Sequence, residues 1–403
     1  MASKCESEKI PTPQKGAFFS FIKSIATFKG DLSSLTAPPF LLSPQSVTEY
    51  SAYWAEHPNL FVAPAHENDA QKRALSVLKW FLSTLKQQHS NKDEIGRKKK
   101  MKPLNPFLGE LFLGKWVDSV GTTELLQGHI IPKVYFSGTV HIDRKGYGTM
   151  HIDKYNEDHL ITMPKVHVEG LMSASLAPEL SGTSYIRSSS GYTTKIEYHC
   201  KGWVSGKRNS FLATIFHDNH EDEPIYVAEG QWNDKYTIKE GNRQNILETV
   251  DVNTYSRTPL TVAPVQNQHH LESRRAWKPV VDAINQGDIF AVGQEKSKIE
   301  NEQREMRKQE KGEGKDFPRR YFSLAKEDPV GEKLAEGLKN TSMKGAVDAH
   351  HMIWLWDEEK YQRIQNNQKS GTKSPVHSRF DSAISMSIDS TGSSASTDSF
   401  RGR

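Results

Sequence analysis

Cysteine is nearly absent: Cys5 and Cys200 are the only two in 403 residues. That scarcity excludes a disulfide framework and a cysteine zinc site, and a reducing compartment is the economical inference. Long apolar runs are missing too, since no stretch approaches the ~18 residues of a membrane span. At the start of the chain, Lys4, Glu6, Glu8 and Lys9 interrupt any signal-peptide pattern. Charge of one sign is also in short supply, because 53 basic residues stand against 49 acidic ones and leave a net +4. Such a balance suits visits to anionic surfaces, not a nucleic-acid backbone. The chain is expected to be soluble and monomeric, with length for one large domain or two of average size.

Catalytic signatures are lacking as well. There is no GxSxG elbow, no GxxxxGK[ST] loop, no GxGxxG and no HExxH, so no enzyme, cofactor or metal site is expected. His269-His270 and His350-His351 are adjacent pairs without partners at ligand spacing, and surface or loop positions account for them.

What is present begins with a helical pattern near the amino end. Phe18, Phe21, Ile22 and Ile25 fall on one face over residues 16–29, with Ser20, Lys23, Ser24 and Thr27 opposite. A core-packing helix and a helix covering a greasy opening both fit this pattern. A second helix is predicted from Asn68 to Gln88, with Ala74, Leu75, Leu78, Phe81, Leu82 and Leu85 as its stripe. Between Val134 and Lys239 the texture turns to β. Tyr192, Thr194, Ile196 and Tyr198 alternate with polar residues, and Ser-Gly pairs at 137, 181, 190 and 205 punctuate short runs, which predicts a meander of antiparallel hairpins. Helices are predicted again over Ser273 to Gln286 and Val292 to Gln309. Residues 1–15 read as flexible. The tail from 363 to 403 is rich in Ser and Thr and poor in large apolar groups, so it is expected to be disordered and open to phosphorylation.

Two features invite chemistry. The stretch from Lys102 to Phe112 packs Pro103, Asn105, Pro106 and Gly109 among large apolar residues, directly after Arg97-Lys98-Lys99-Lys100. Its prolines constrain the backbone, so a fixed buried loop with an anion at its edge and a plain structural turn are both open. Lys296, Glu300 and Arg304 are spaced i, i+4, i+8 along one helix face, as an ordinary solvated charge stripe also is.

The Lys102–Phe112 run, followed by Gly114-Lys115-Trp116, resembles the asparagine-proline-x-leucine-glycine-glutamate signature of oxysterol-binding-related lipid-transfer proteins, particularly the short fungal kind. Further matches are Gly30 through Phe40, Tyr53 through Pro58, Lys165 through Gly170, Gly202 through Phe211, Gly230-Gln231-Trp232 and Leu271 through Trp277. The resemblance covers roughly residues 16 to 360. It implies an α+β fold: a large, incomplete antiparallel β-barrel around an apolar lipid tunnel, with an N-terminal helical lid (16–29) and a C-terminal helical region, together forming a lipid-binding domain over 16–362. It implies a non-enzymatic carrier that exchanges sterol and phosphatidylinositol 4-phosphate between organelle membranes from the cytoplasm, touching anionic membranes peripherally. The headgroup residues carried over are Lys102, Leu104, Asn105, Lys296, Glu300 and Arg304. Those of tunnel and lid are Phe18, Phe21, Ile22, Ile25, Trp54, Gln88 and Lys133, while His89 and Ile130 replace a common tyrosine and asparagine.

One departure matters. The family's glutamate-glutamine-valine-serine-histidine-histidine-proline-proline segment, whose histidines bind phosphate, is lacking. Glu124-Leu125-Leu126 matches sequence just ahead of it and Gln127-Gly128-His129 resembles sequence beyond it, so about two dozen residues, enough for two strands, are missing at Leu126–Gln127. Divergence, a splice form and a gene-model error would each account for the gap, and the otherwise intact match favours the last two. A sensor or scaffold with weakened phosphoinositide binding is the alternative function.

Overall fold

The computed structural model describes residues 8–9, 15–28, 37–89, 102–119, 121–127, 133–136, 140–143, 146–169, 175–199, 207–218, 220–241, 245–314, 321–325, 327–342, 344–347, 353–357 and 359–363. In chain order its early elements are β1 (Glu8–Lys9), α1 (Lys15–Thr27), β2 (Leu42–Ser46), α2 (Pro58–His66), α3 (Ala70–Gln88), β3 (Lys102–Leu104), β4 (Phe112–Asp118) and β5 (Gly121–Gln127). The meander follows: β6 (Lys133–Phe136), β7 (Val140–Asp143), β8 (Tyr147–Ile152), β9 (Glu157–Thr162), β10 (Lys165–Glu169), β11 (Ser175–Ser188), β12 (Tyr192–His199), β13 (Ser210–His217), β14 (Tyr226–Gln231), β15 (Lys235–Glu240) and β16 (Ile246–Asp251). Last come α4 (Ser273–Ala276), α5 (Lys278–Gln286), α6 (Ile289–Glu313), β17 (Phe322–Ala325), α7 (Pro329–Glu336), α8 (Lys344–Val347) and β18 (Ile353–Trp356).

The expected antiparallel sheet is present, with twelve strands in the order β16-β15-β14-β13-β12-β11-β10-β7-β6 and β1, β8 and β9 joined through β11. Among the described residues it does not close into a barrel. β4 and β5 form a separate ribbon, and β2 pairs with β3 in parallel. The Leu126–Gln127 junction therefore falls at the end of the ribbon, just before the chain enters the terminal strand of the large sheet.

Alternation explains the sheet's inner face. Phe211, Ala213 and Ile215 of β13 are buried with Ile196 and Tyr198 of β12 and Tyr236 and Ile238 of β15. Against them lies α3, whose Val77, Leu78, Phe81, Leu82 and Leu85 join the same cluster. Asp69 caps this helix by accepting from Lys72 N at 2.9 Å, so it starts at Ala70, close to the expected start near Asn68, and ends at Gln88 as expected.

Three local expectations need correction. Ser181-Gly182 is no turn, since it lies inside the 14-residue β11. Gly182 has φ +74°, where the strand passes from β10 to β12 and β9 as partners, so the glycine bends a strand instead of ending it. Ser190-Gly191 does turn the chain between β11 and β12, while the pairs at 137 and 205 lie outside the described residues. The helix predicted over Ser273 to Gln286 splits at Trp277, because Pro279 has no N–H to continue the ladder. The next helix is longer than its apolar pattern: Asp288 caps it through Ala291 N at 2.9 Å and Gly314 ends it, giving Ile289–Glu313.

The chain forms two compact units, Met1–Phe317 with Asp328–His351, and Pro318–Glu327 with Met352–Arg403. In the second, β18, which carries the aromatic run Trp354-Leu355-Trp356, pairs antiparallel with β17. The tail from 364 lies outside the described residues.

Candidate functional site

The proline-rich loop is held from beneath by one carboxylate. Glu110 is fully buried, and Gly109 at φ +87° turns the chain into it. It accepts from Phe107 N at 3.1 Å, Ser273 Oγ at 2.7 Å and Trp277 Nε1 at 3.1 Å. Burial pushes its pKa up, and these donors, with Ser46, pull against that. Leu111 N donates to Leu271 O at 2.9 Å and Ser273 N to Leu111 O at 2.8 Å. Two motifs about 160 residues apart thus form one joint. Sequence reasoning quoted Glu110 within a motif but gave it no role, since nothing local reveals its distant partners.

The same loop carries part of a charged group. Lys102 Nζ donates to Asn105 Oδ1 at 3.2 Å. Burial, and then repulsion from Lys296, lower the Lys102 ammonium to a pKa of about 8, against an opposing pull from Glu300. Lys296 is 6% exposed and meets Glu300 Oε1 at 3.1 Å. Arg304 lies 3.5 Å from the other Glu300 oxygen and donates to Asn301 Oδ1 at 2.6 Å, with its side chain 69% exposed. Lys102, Asn105, Lys296 and Glu300 therefore gather at one place, with Arg304 at its rim. Three cations around one carboxylate form a surface suited to phosphate.

Leu104, fully buried, shares an apolar cluster with Phe107, Trp277, Val280 and Val292, and Phe21 of α1 packs against that cluster. The amino-terminal helix thus adds Phe21 to the apolar cluster that also takes in Leu104 and Phe107 of that loop. Its Phe18 and Ile25 are buried, and Phe18, Phe21 and Ile22 meet Phe40, Leu41, Val140 and Val168. Phe19 and Phe28 remain exposed. The hydroxyls opposite are used locally: Ser24 Oγ donates to Phe21 O at 2.8 Å and Thr27 Oγ1 to Lys23 O at 3.0 Å.

The other predicted residues lie elsewhere. Trp54 packs on the α3 cluster, its ring 5.5 Å from that of Trp80, whose Nε1 donates to Trp54 O at 2.9 Å. Gln88 is the half-buried last residue of α3, and next to it His89 lies edge-on to Trp232 at 6.1 Å. Lys133 opens β6 opposite Asp143 in the register, and Ile130 lies outside the described residues.

Two charged clusters escaped sequence reasoning, because strand register and helix packing assemble them. In one, Glu157 is buried with Arg73 and His159. It accepts from Arg73 Nε at 2.8 Å, Ser188 Oγ at 2.8 Å and Ser190 Oγ at 3.0 Å. Burial alone would raise this carboxyl, but bonds from His159, Ser188 and Arg73 hold it at about 2. The other joins His167, Glu169 and Glu179.

Comparison with known proteins decides the family. The model described as oxysterol-binding protein matches residues 18–125 and 121–345. The chain belongs to the oxysterol-binding protein family. Protein kes1 of Schizosaccharomyces pombe is 41% identical over 84% of this chain and 94% of its own length. Protein KES1 of Mycosarcoma maydis is 37% identical over 82% and 94%. The Hormonema carpetanum protein called Probable transporter efuK is 40% identical, and the chain spans about half (53%) of its length. Among solved structures, an Osh1 ORD domain in complex with ergosterol superposes with a TM-score of 0.62 at 16% identity, covering 90% of this chain and 91% of that one. An Osh3 ORD in complex with PI(4)P, from Saccharomyces cerevisiae, gives 0.57 at 16%, covering 92% and 96%. The incomplete barrel is thus the architecture of oxysterol-binding-protein domains. The two family-model matches meet at 121–125, next to the Leu126–Gln127 junction.

Proposed function

We propose that this chain is a non-enzymatic lipid carrier that holds either one sterol-like molecule under α1 or one phosphatidylinositol 4-phosphate, and exchanges them between organelle membranes. The observation that carries this reading is the gathering of Lys102, Asn105, Lys296 and Glu300 on the loop and helix that also give Leu104 and Val292 to the apolar cluster against which Phe21 of α1 packs. The loop and α6 supply both the cations for a headgroup and part of the apolar cluster that meets the lid, so a lipid drawn in by its phosphate competes with whatever lies beneath the lid. Related domains solved with ergosterol and with PI(4)P support both ligand classes. The lipid-binding domain is assigned to residues 16–362, with Trp54, Gln88 and Lys133 on the sterol side. Lys102, Asn105, Lys296, Glu300 and Arg304 would bind the headgroup from one wall.

Where the family's histidine pair is lacking, several charge-assisted phosphate bonds are forgone, each worth roughly 1.5–3 kcal/mol. Phosphoinositide affinity is therefore expected to be weak while sterol binding persists. Incubating the protein with liposomes carrying dehydroergosterol, phosphatidylinositol 4-phosphate or both tests the reading. The expected result is extraction of each lipid alone, with the phosphoinositide suppressing sterol uptake. Extraction of sterol only would replace the carrier by a single-ligand sensor, and extraction of neither would overturn both.

A further inference from the structure

The antiparallel register of β7, β10 and β11 builds a row of donors across one sheet face. His141 lies opposite His167, and His167 opposite Glu179. Glu169, two residues beyond His167, shares that face. One ligand atom each from His167, Glu169 and Glu179 lies within 4.8 Å of the others, and the His141 ring centroid is 6.1 Å from that of His167. His167 Nε2 is 3.5 Å from Glu169 Oε1.

The place already accepts a cation. Arg208 reaches in from the loop before β13, with Nη2 2.6 Å from Glu169 and Nε 2.8 Å from Glu179. The two partners differ in their freedom to leave. Glu179 is only 3% exposed in its side chain and is fixed in the middle of β11, whereas Arg208 is 32% exposed and carries a long flexible stem. A guanidinium so placed can retreat into water with its charge solvated, and the buried carboxylate cannot. Imidazole with two carboxylates is a donor set for zinc and neighbouring first-row metals, and rigid strands hold it better than loops would.

We propose that His167, Glu169 and Glu179 form a binding site for a divalent transition metal, with His141 beside it and Arg208 as the internal cation that the metal displaces. The opposite face of β10 carries Val168, which packs in the Phe18 cluster of α1. A bound metal would cross-link β10 to β11 and stiffen the strands on which α1 rests. This inference does not depend on the lipid-carrier reading, and its test uses no lipid.

The test titrates zinc into the chelator-stripped full chain against a colorimetric competitor, with cobalt(II) absorption reporting nitrogen–oxygen ligation. One equivalent is expected to bind the unaltered protein. His167→Ala should weaken that equivalent by at least about tenfold, and Arg208→Ala should tighten it by a similar factor. Should His167→Ala fail to fold, Glu169→Gln, at a more exposed ligand, is expected to weaken zinc in the same way. Zinc binding of equal strength and stoichiometry in unaltered and ligand-lacking proteins would place the metal on other histidines and overturn the proposal, as would no binding at all.

Discussion

Two charged clusters lie on the same chain with opposite balances. Around Glu157, a guanidinium, an imidazole and two serine hydroxyls converge on one carboxylate, and its pKa falls to about 2. Around Glu300, the buried Lys296 ammonium and Arg304 share a single carboxylate, and burial and repulsion from Lys296 lower the nearby Lys102 pKa to about 8. In the first cluster the fold satisfies its own charge. In the second, burial holds cations in a place that favours an incoming anion. The difference separates an ion cluster that is satisfied internally from one with cations in excess.

The largest expected effect would break the structural member. Arg73→Ala strands Glu157 in the interior and should cost about 3–5 kcal/mol of stability, measured by denaturant unfolding. Next, Lys296→Ala should lower phosphatidylinositol 4-phosphate affinity roughly 10- to 150-fold, the equivalent of one charge-assisted bond, while sterol uptake stays intact. Equal losses of both ligands would erase the contrast between the clusters.

A subtler prediction concerns pH. Lys102 has a folded pKa of about 8, against an ordinary 10.5. Between these values the unfolded chain keeps a proton that the folded chain has released, so this group makes stability rise with pH across that window. Headgroup affinity runs the other way, since the neutral amine has lost its charge, and it should fall as pH rises through about 8. Lys102→Gln should flatten both slopes. Smallest of all, Arg304→Ala removes an exposed partner and should cost about 0–1 kcal/mol of headgroup affinity in a titration at physiological salt.

Much of this was legible in the sequence where the determinant is local. The α3 stripe and the β12 alternation follow from period 3.6 and period 2, and the Lys296-Glu300-Arg304 spacing placed three side chains along one helix. What escaped depends on partners far along the chain. Gly182 looked like a turn because a glycine does not announce that its strand is changing neighbours. Pro279, at the second position of α5, broke a helix that apolar periodicity alone would have continued. Glu110 finds Ser273 and Trp277 more than 160 residues away, and His167 meets Glu179 only through register.

The most direct test of the account is whether both ligands can occupy the protein together. Protein loaded with dehydroergosterol and titrated with phosphatidylinositol 4-phosphate vesicles should release sterol as phosphoinositide is taken up, one molecule for one. A stable complex holding both lipids at once would contradict the claim that the cations of the Lys102–Lys296 group and the seat of α1 serve a single, exclusive place.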